Sequence, residues 1–360
     1  MGLAVGIVGL PNAGKSTLYR ALTRVSVAIA PYPFTTLEPN VGVVAVPDSR
    51  LEAIARVVGA RRVVPATIRV VDIAGLVRGA HRGEGLGNQF LAHIRETSAL
   101  LHVVRGFEDP EAPHVEGALD PMRDIEIVET ELALADLATV GRRRERLMAR
   151  ARTGDRTARA EVEVLEQVEV HLSRGDPVRS LPPATREVVR PLRLLTDKPV
   201  AYVLNVGDGG PAKGWEAVQV HAARTGSRLV VANLKLEAEL LDLPPEEAAA
   251  YRQAIGLGEE ALHQVIRAAY ELLGLVTFFS IESGEVRAWP VPRGTVALEA
   301  AGEIHTDMMR GFVAAEAISW EELVQAGSVA AARERGKLRT EGRGYVVQDG
   351  DVITFRFSPR

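Results

Sequence analysis

Gly9-Leu10-Pro11-Asn12-Ala13-Gly14-Lys15-Ser16-Thr17 is the stretch that decides the fold. It satisfies G-x-x-x-x-G-K-[ST] and stands between an apolar run, Leu3–Val8, and a helix-forming stretch, the strand-to-helix setting that the pattern requires. Glycines let such a loop wrap closely round phosphates, because a Cβ would clash and positive φ must be allowed. A helix starting near Gly14 turns free N–H groups toward a β-phosphate. Lys15 then neutralises β/γ charge and the Ser16 hydroxyl ligates Mg²⁺. Asn12, Ala13, Gly14, Lys15, Ser16 and Thr17 are therefore the expected phosphate contacts. The rival dinucleotide fingerprint, G-x-G-x-x-G, is absent there.

Outward from the loop, other short β-branched or apolar runs recur, two of them ending in a polar residue: Ile68–Val71 before Asp72, Val200–Leu204 before Asn205, and Leu229–Val231 before Ala232. That arrangement predicts buried parallel strands with ligand loops at their carboxyl ends, an α/β doubly wound sheet. In Asp72-Ile73-Ala74-Gly75 the Asp is expected to hold Mg²⁺ through water and the Gly75 N–H to sense a γ-phosphate. Tyr32-Pro33-Phe34-Thr35-Thr36 offers hydroxyls for the metal, with Thr35 and Thr36 both open as the ligand. Gly79, Gly83, Gly85 and Gly87 follow, a density that predicts a mobile loop.

Ras-type GTPases carry a water-orienting Gln directly after D-x-x-G. Here the position is Leu76, which cannot hydrogen-bond, so slow intrinsic hydrolysis is expected. His114, in the loop after the Leu101–Val104 strand, is a candidate for the missing role. At the strand end where guanine binders place N-K-x-D, the chain has Asn205-Val206-Gly207-Asp208. The Lys whose stem stacks on guanine is missing, while a carboxylate remains.

Strand signals stop between about Ile125 and Leu192, where Glu129–Ala151 and Thr157–Ser173 read as helices around a turn at Thr153-Gly154-Asp155. This predicts an antiparallel helical hairpin inserted into the sheet domain. Between Arg142 and Arg159 it carries eight arginines against Glu145 and Asp155, a net +6 over 18 residues, enough for several phosphate contacts. A second basic cluster, Arg333, Arg335, Lys337, Arg339 and Arg343, lies near the end. From about Val276 the pattern turns to short alternating strands, closing on an expected β-hairpin around Asp349-Gly350.

The 360 residues hold 43 basic and 47 acidic side chains, so any nucleic-acid surface must be local. With no cysteine, disulfides and thiolate chemistry are excluded, which fits a reducing, cytoplasmic setting. No stretch approaches the ~20 apolar residues of a membrane span, and no heptad seam announces a dimer, so a monomer is expected.

In sum these motifs resemble the YchF/Obg-like ATPases, a branch of the Obg group of translation-factor-class P-loop proteins. The resemblance runs through Gly9–Thr17, Tyr32–Gly42, Asp72–Gly75, Gly83–Leu91, the helical insert, and a last module whose Val286–Trp289, Ala301–Asp307 and Lys337–Arg339 look like a TGS domain. It implies a nucleotide-binding domain over 1–125 and 193–275, an inserted coiled-coil hairpin over 126–192, and a small α+β, ubiquitin-like TGS domain over 276–360. It also implies ATP preferred over GTP, Mg²⁺ at Ser16 and Thr36, a hydrophobic replacement of the catalytic Gln at Leu76, and a flexible-loop histidine at His114. K⁺ stimulation through Asn12 and association with the ribosome or its RNA are implied too. The family's usual base motif is N-x-x-E, and this chain departs from it at Asp208. Physically, Asp208 presents a carboxylate to adenine N1, an acceptor, so ATP and GTP both stay open at this position. A nucleotide-gated adaptor with negligible turnover and a metabolic kinase with the hairpin as lid are the rival readings.

Overall fold

The computed structural model describes residues 3–29, 36–38, 40–73, 86–257, 260–282 and 284–358. The chain begins β1 (Ala4–Val8), α1 (Lys15–Ile29), β2 (Thr36–Glu38), β3 (Val41–Ala45), α2 (Ser49–Val58), β4 (Arg62–Val64) and β5 (Thr67–Asp72). It continues with α3 (Leu86–Glu96), β6 (Ala99–Gly106), α4 (Pro121–Arg152), α5 (Arg156–Ser173), α6 (Pro183–Val189) and β7 (Val200–Val206). Then come α7 (Trp215–Arg224), β8 (Arg228–Ala232), α8 (Leu234–Leu240), α9 (Pro245–Ala254) and α10 (Ala261–Leu272). The last part holds β9 (Leu275–Glu282), β10 (Glu285–Pro292), α11 (Ala297–Ile304), α12 (Thr306–Arg310), β11 (Phe312–Ser319), α13 (Trp320–Ala326), α14 (Val329–Glu334), β12 (Arg339–Glu341) and β13 (Asp351–Phe357). Packing divides the chain into two units: Met1–Arg24, Phe34–Gly42 and Arg69–Leu272 in one, Val25–Pro33, Val43–Ile68 and Leu273–Arg360 in the other.

A seven-stranded sheet runs in the order β2-β3-β5-β1-β6-β7-β8. β1 lies parallel between β5 and β6, and β7 and β8 extend the parallel array. Every residue of β1, β6 and β7 is buried, as expected of central parallel strands covered on both faces. β2 and β3 add an antiparallel edge. The register sets Ile7 opposite Asp72 and Arg105 opposite Asn205, so the phosphate loop, Asp72 and Asn205 all leave the same carboxyl edge.

The hairpin is formed by α4 and α5. α4 starts at Pro121 rather than Glu129, because the Asp120 carboxylate accepts from Arg123 N at 3.1 Å and Pro121 is preset for a first turn. Asp155 caps α5 in the same way, accepting from Ala158 N at 3.0 Å. Val140 and Leu147 pack in one cluster with Val162, Leu165, Val168 and Leu172. Halfway along α4 the fully buried Asp136 accepts from Leu195 N, Thr196 N and Thr196 Oγ1, each at 2.8 Å, fixing the chain where it returns to the sheet. Four of the eight arginines are paired: Arg143 with Glu161 at 2.7 Å, Arg144 with Glu169 at 3.2 Å, Arg150 with Asp155 at 2.7 Å and Arg159 with Glu163 at 3.4 Å. Among the described residues Arg142, Arg146, Arg152 and Arg156 are exposed and have no acidic partner.

In the other unit a six-stranded sheet, β12-β11-β13-β9-β10-β4, packs Phe278, Val291, Phe312, Ile353 and Phe355 against α11. The hairpin expected around Asp349-Gly350 does not form. β13 pairs antiparallel with β11 and parallel with β9, while the preceding arm bonds elsewhere, Val347 N to Thr295 O at 3.0 Å and Ala297 N to Tyr345 O at 2.7 Å. Side chains explain the difference. Asp351 accepts from Gln348 N at 2.9 Å and Tyr345 Oη at 2.7 Å, and Asp349 accepts from Thr277 N at 2.8 Å, so the acids close a side-chain turn in place of a backbone ladder.

Candidate nucleotide-binding site

Two glycines of the loop are required by their surroundings. Gly9 has φ 147°, and a Cβ there would lie 2.3 Å from Val103 O; Gly14 has φ 102°, and its Cβ would lie 2.3 Å from Asn205 Nδ2. Asn12 takes the left-handed conformation at φ 62°. α1 begins at once, Leu18 N donating to Gly14 O at 2.9 Å, and its first N–H groups find no backbone acceptor among the described residues, which suits them to an anion. Lys15 is buried, and its Nζ donates to Leu10 O at 2.8 Å across the loop. Burial lowers this ammonium to about 8, with Asp72 opposing the shift.

Beside it, Ser16 Oγ donates to Asp72 Oδ2 at 3.1 Å, and Ser16 is exposed at the loop mouth. A hydroxyl and a carboxylate in contact are hard oxygen donors of the kind Mg²⁺ takes, so these residues fit the metal. Thr17 lies half-buried in α1 and Ala13 is buried beneath the loop. Thr36 opens β2 opposite Gly42. Thr35, Gly75, Leu76 and the glycine run through Gly85 lie outside the described residues.

His114 is held at both nitrogens. Its Nδ1 accepts from Glu116 N at 3.1 Å, which leaves the proton on Nε2 to donate to Asp124 Oδ2 at 2.8 Å. Burial raises the Asp124 carboxyl and His114 opposes that rise. The loop nevertheless reaches the phosphate loop, since Asn12 Nδ2 donates to Pro113 O at 3.5 Å.

At the base end, Asn205 joins three elements. Its Nδ2 donates to Ala13 O at 3.0 Å and its Oδ1 accepts from Leu234 N at 3.1 Å. Val206, Gly207 and Asp208 line a cavity of about 590 Å³ together with Phe107, Asn233 and Lys235. Three participants are not apparent from sequence. Buried Arg105 donates from Nε to Phe107 O at 3.1 Å and stacks its guanidinium 4.6 Å from that ring, fixing an aromatic wall. Asn233 donates from Nδ2 to Asp208 Oδ1 at 2.8 Å while its Oδ1 caps α8 at Leu236 N, 3.0 Å. In sequence Asn233 carries only a helix-cap signal.

Under the strand ends runs a buried polar chain. Tyr202 Oη donates to Glu129 Oε1 at 2.9 Å and lies 3.0 Å from His221 Nε2, and Arg179 Nη2 donates to Glu129 at 2.9 Å. Glu129 is held at about 2: burial pushes it up, but His221, Arg179 and Tyr202 outweigh that. His102, fully buried next to Tyr202, is pushed down to about 4 by burial. The chain ties α4 to β7.

The family model described as a 50S ribosome-binding GTPase matches residues 4–132, and the model of the YchF GTPase C-terminal domain, described as a protein of unknown function, matches residues 275–358. The ribosome-binding ATPase YchF of Escherichia coli O157:H7 is 47% identical over 362 residues, 99% of this chain and 100% of that protein. The chain belongs to the YchF family. The YchF ribosome-binding ATPase of Bacillus subtilis (strain 168) is 44% identical over 365 residues, again 99% of this chain and 100% of the relative. The solved YchF GTPase of Schizosaccharomyces pombe superposes with a TM-score of 0.89 at 34% identity, covering 99% of this chain and 98% of that one. The P-loop fold and the long inserted hairpin expected from sequence are thus those of the YchF family.

Proposed function

We propose that the chain is a ribosome-associated regulatory nucleoside triphosphatase that binds ATP with Mg²⁺ and hydrolyses it slowly. The observation that carries this reading is the convergence, on one sheet edge, of a buried Lys15, the Ser16–Asp72 oxygen pair and an Asn205 anchored to the loop backbone. Lys15 and the α1 N-terminus meet the β- and γ-phosphates, and Ser16 with Thr36 ligates Mg²⁺, with Asp72 acting through water. Held there, Mg²⁺ would supply charge neutralisation for the transferred phosphoryl group. Asn12 is the proposed K⁺ ligand, Gly75 the γ-phosphate sensor, and Asn205, Val206 and Asp208 the base contacts.

Leu76 in the place of a water-orienting Gln makes the basal rate slow. His114 supplies that function when its loop leaves Asp124 and swings on the Asn12–Pro113 contact toward the phosphates.

Four unpaired arginines, Arg142, Arg146, Arg152 and Arg156, support docking of the hairpin on ribosomal RNA, with the TGS module at 276–360 as a second contact. We place the nucleotide domain at 1–125 and 193–275 and the hairpin at 126–192, in a cytoplasmic monomer. Among the described residues no helix is long and apolar enough to cross a membrane.

The test is cosedimentation with ribosomes in Mg²⁺ and K⁺, with a non-hydrolysable ATP analogue or ADP. Nucleotide-dependent cosedimentation that Lys15→Ala abolishes is expected, along with ATP turnover that ribosomes change. Cosedimentation indifferent to nucleotide and to Lys15→Ala would overturn the reading.

A further inference from the structure

A carboxylate by itself fits guanine better than adenine. Guanine offers two donors side by side, N1–H and the exocyclic amine, and a carboxylate has two oxygens to receive them. Adenine offers a donor, N6–H, beside an acceptor, N1, and a second carboxylate oxygen there would face a lone pair. Asp208, however, does not stand alone. Its Oδ1 already accepts from Asn233 Nδ2 at 2.8 Å, and both residues line the same cavity as Asn205 and Phe107.

The orientation of Asn233 is fixed from its other end. Its Oδ1 accepts from Leu236 N at 3.0 Å as the cap of α8, so the amide nitrogen must be the group turned to Asp208. Among the described residues the rim thereby offers one carboxylate oxygen with no hydrogen-bond partner beside an amide donor that has a second hydrogen to give. Acceptor beside donor is the complement of the N6–H/N1 edge of adenine, and it fails to match the double-donor edge of guanine.

We propose that Asn233 is a specificity-determining residue that, by occupying Oδ1 of Asp208, converts a guanine-type carboxylate into an adenine-reading pair. Asp208 is the base contact and Asn233 sets its polarity. The proposal rests on the reading of this cavity as the base site of a bound triphosphate.

The test is calorimetric titration of non-hydrolysable ATP and GTP analogues into the full chain and into Asn233→Ser. Serine keeps a helix-capping oxygen and removes the amide donor, so α8 is retained. The wild type should bind ATP more tightly, and Asn233→Ser should shift the ratio of GTP to ATP dissociation constants toward GTP by about tenfold, the scale of one well-placed base contact. In Asp208→Ala, which removes an exposed side chain, ATP binding should weaken, and adding Asn233→Ser to it should leave the ratio unchanged within about twofold.

A ratio unmoved by Asn233→Ser, with both analogues still bound, would overturn the proposal and leave the nucleotide site standing. Wild-type preference for GTP would overturn the adenine match. No binding of either analogue by the wild type would overturn both the proposal and the reading of the site.

Discussion

Asn205 and Ala13, 192 positions apart, are joined by a hydrogen bond of 3.0 Å from Asn205 Nδ2 to the Ala13 carbonyl. The loop that would hold phosphates and the strand end that would read the base are therefore tied directly to each other. Loss of either side of that bond should be felt at both ends of the nucleotide.

Gly14→Ala tests this directly. The added methyl would lie 2.3 Å from Asn205 Nδ2 at a φ of 102°, so either the loop or Asn205 must move. ATP affinity should fall by at least about 30-fold, with thermal stability reduced, since a strained left-handed residue costs on the order of 1–2 kcal/mol. Gly141→Ala is the control: in the middle of α4, with its nearest neighbour at 3.6 Å, it should stabilise the protein by up to about 1 kcal/mol and leave ATP binding unchanged.

Lys15 gives nucleotide binding a pH dependence. Its ammonium titrates near 8 in the free protein because burial disfavours the charge, whereas phosphates favour it. Above pH 8 binding must therefore take up a proton, and affinity should weaken by up to about tenfold per pH unit. Calorimetry between pH 7 and 9 in buffers of different ionisation enthalpy measures both. Lys15→Arg, which keeps its charge, should lose the slope.

Glu129 should make the protein acid-sensitive. Its folded-state value of about 2 lies below the ordinary 4.5, so it contributes stability that is complete above pH 4.5 and is lost as pH falls toward 2. A depression of that size corresponds to about 3 kcal/mol. Urea midpoints of Glu129→Gln should be lower than wild type at pH 7, with the gap closing as the pH approaches 3.

Asp136→Ala leaves the Leu195 and Thr196 amides without their acceptor in a buried site. Two orphaned donors cost about 2–5 kcal/mol together, which urea denaturation would register; a loss under about 1 kcal/mol would mean that the chain re-satisfies them locally.

Much of this was legible in the sequence where the signal is local. Gly9–Thr17 is contiguous, and the strand that carries Asn205 is apolar up to that residue because both faces of the sheet are covered there, whereas Thr67–Asp72 alternates half-buried and buried residues and keeps Arg69. The cap of α4 at Asp120 was hidden by distance from the periodic stretch that first suggested a helix. Asn233 and Asp208 lie on different strand ends, 25 positions apart, and meet only because β7 pairs with β8. The arginine run reads as +6, but folding α5 back on α4 brings Glu161 and Glu169 against Arg143 and Arg144, a cancellation no window of sequence contains. Asp349-Gly350 has the composition of a hairpin turn, yet the Asp351 and Asp349 carboxylates use that turn to reach Tyr345 and Thr277 instead.

The most direct test of the central claim is calorimetric titration of ATP into the protein in Mg²⁺ and K⁺, with GTP and Lys15→Ala alongside. Binding of ATP more tightly than GTP, abolished by Lys15→Ala, is the predicted result. ATP binding that survives Lys15→Ala undiminished, or no binding at all, would contradict it.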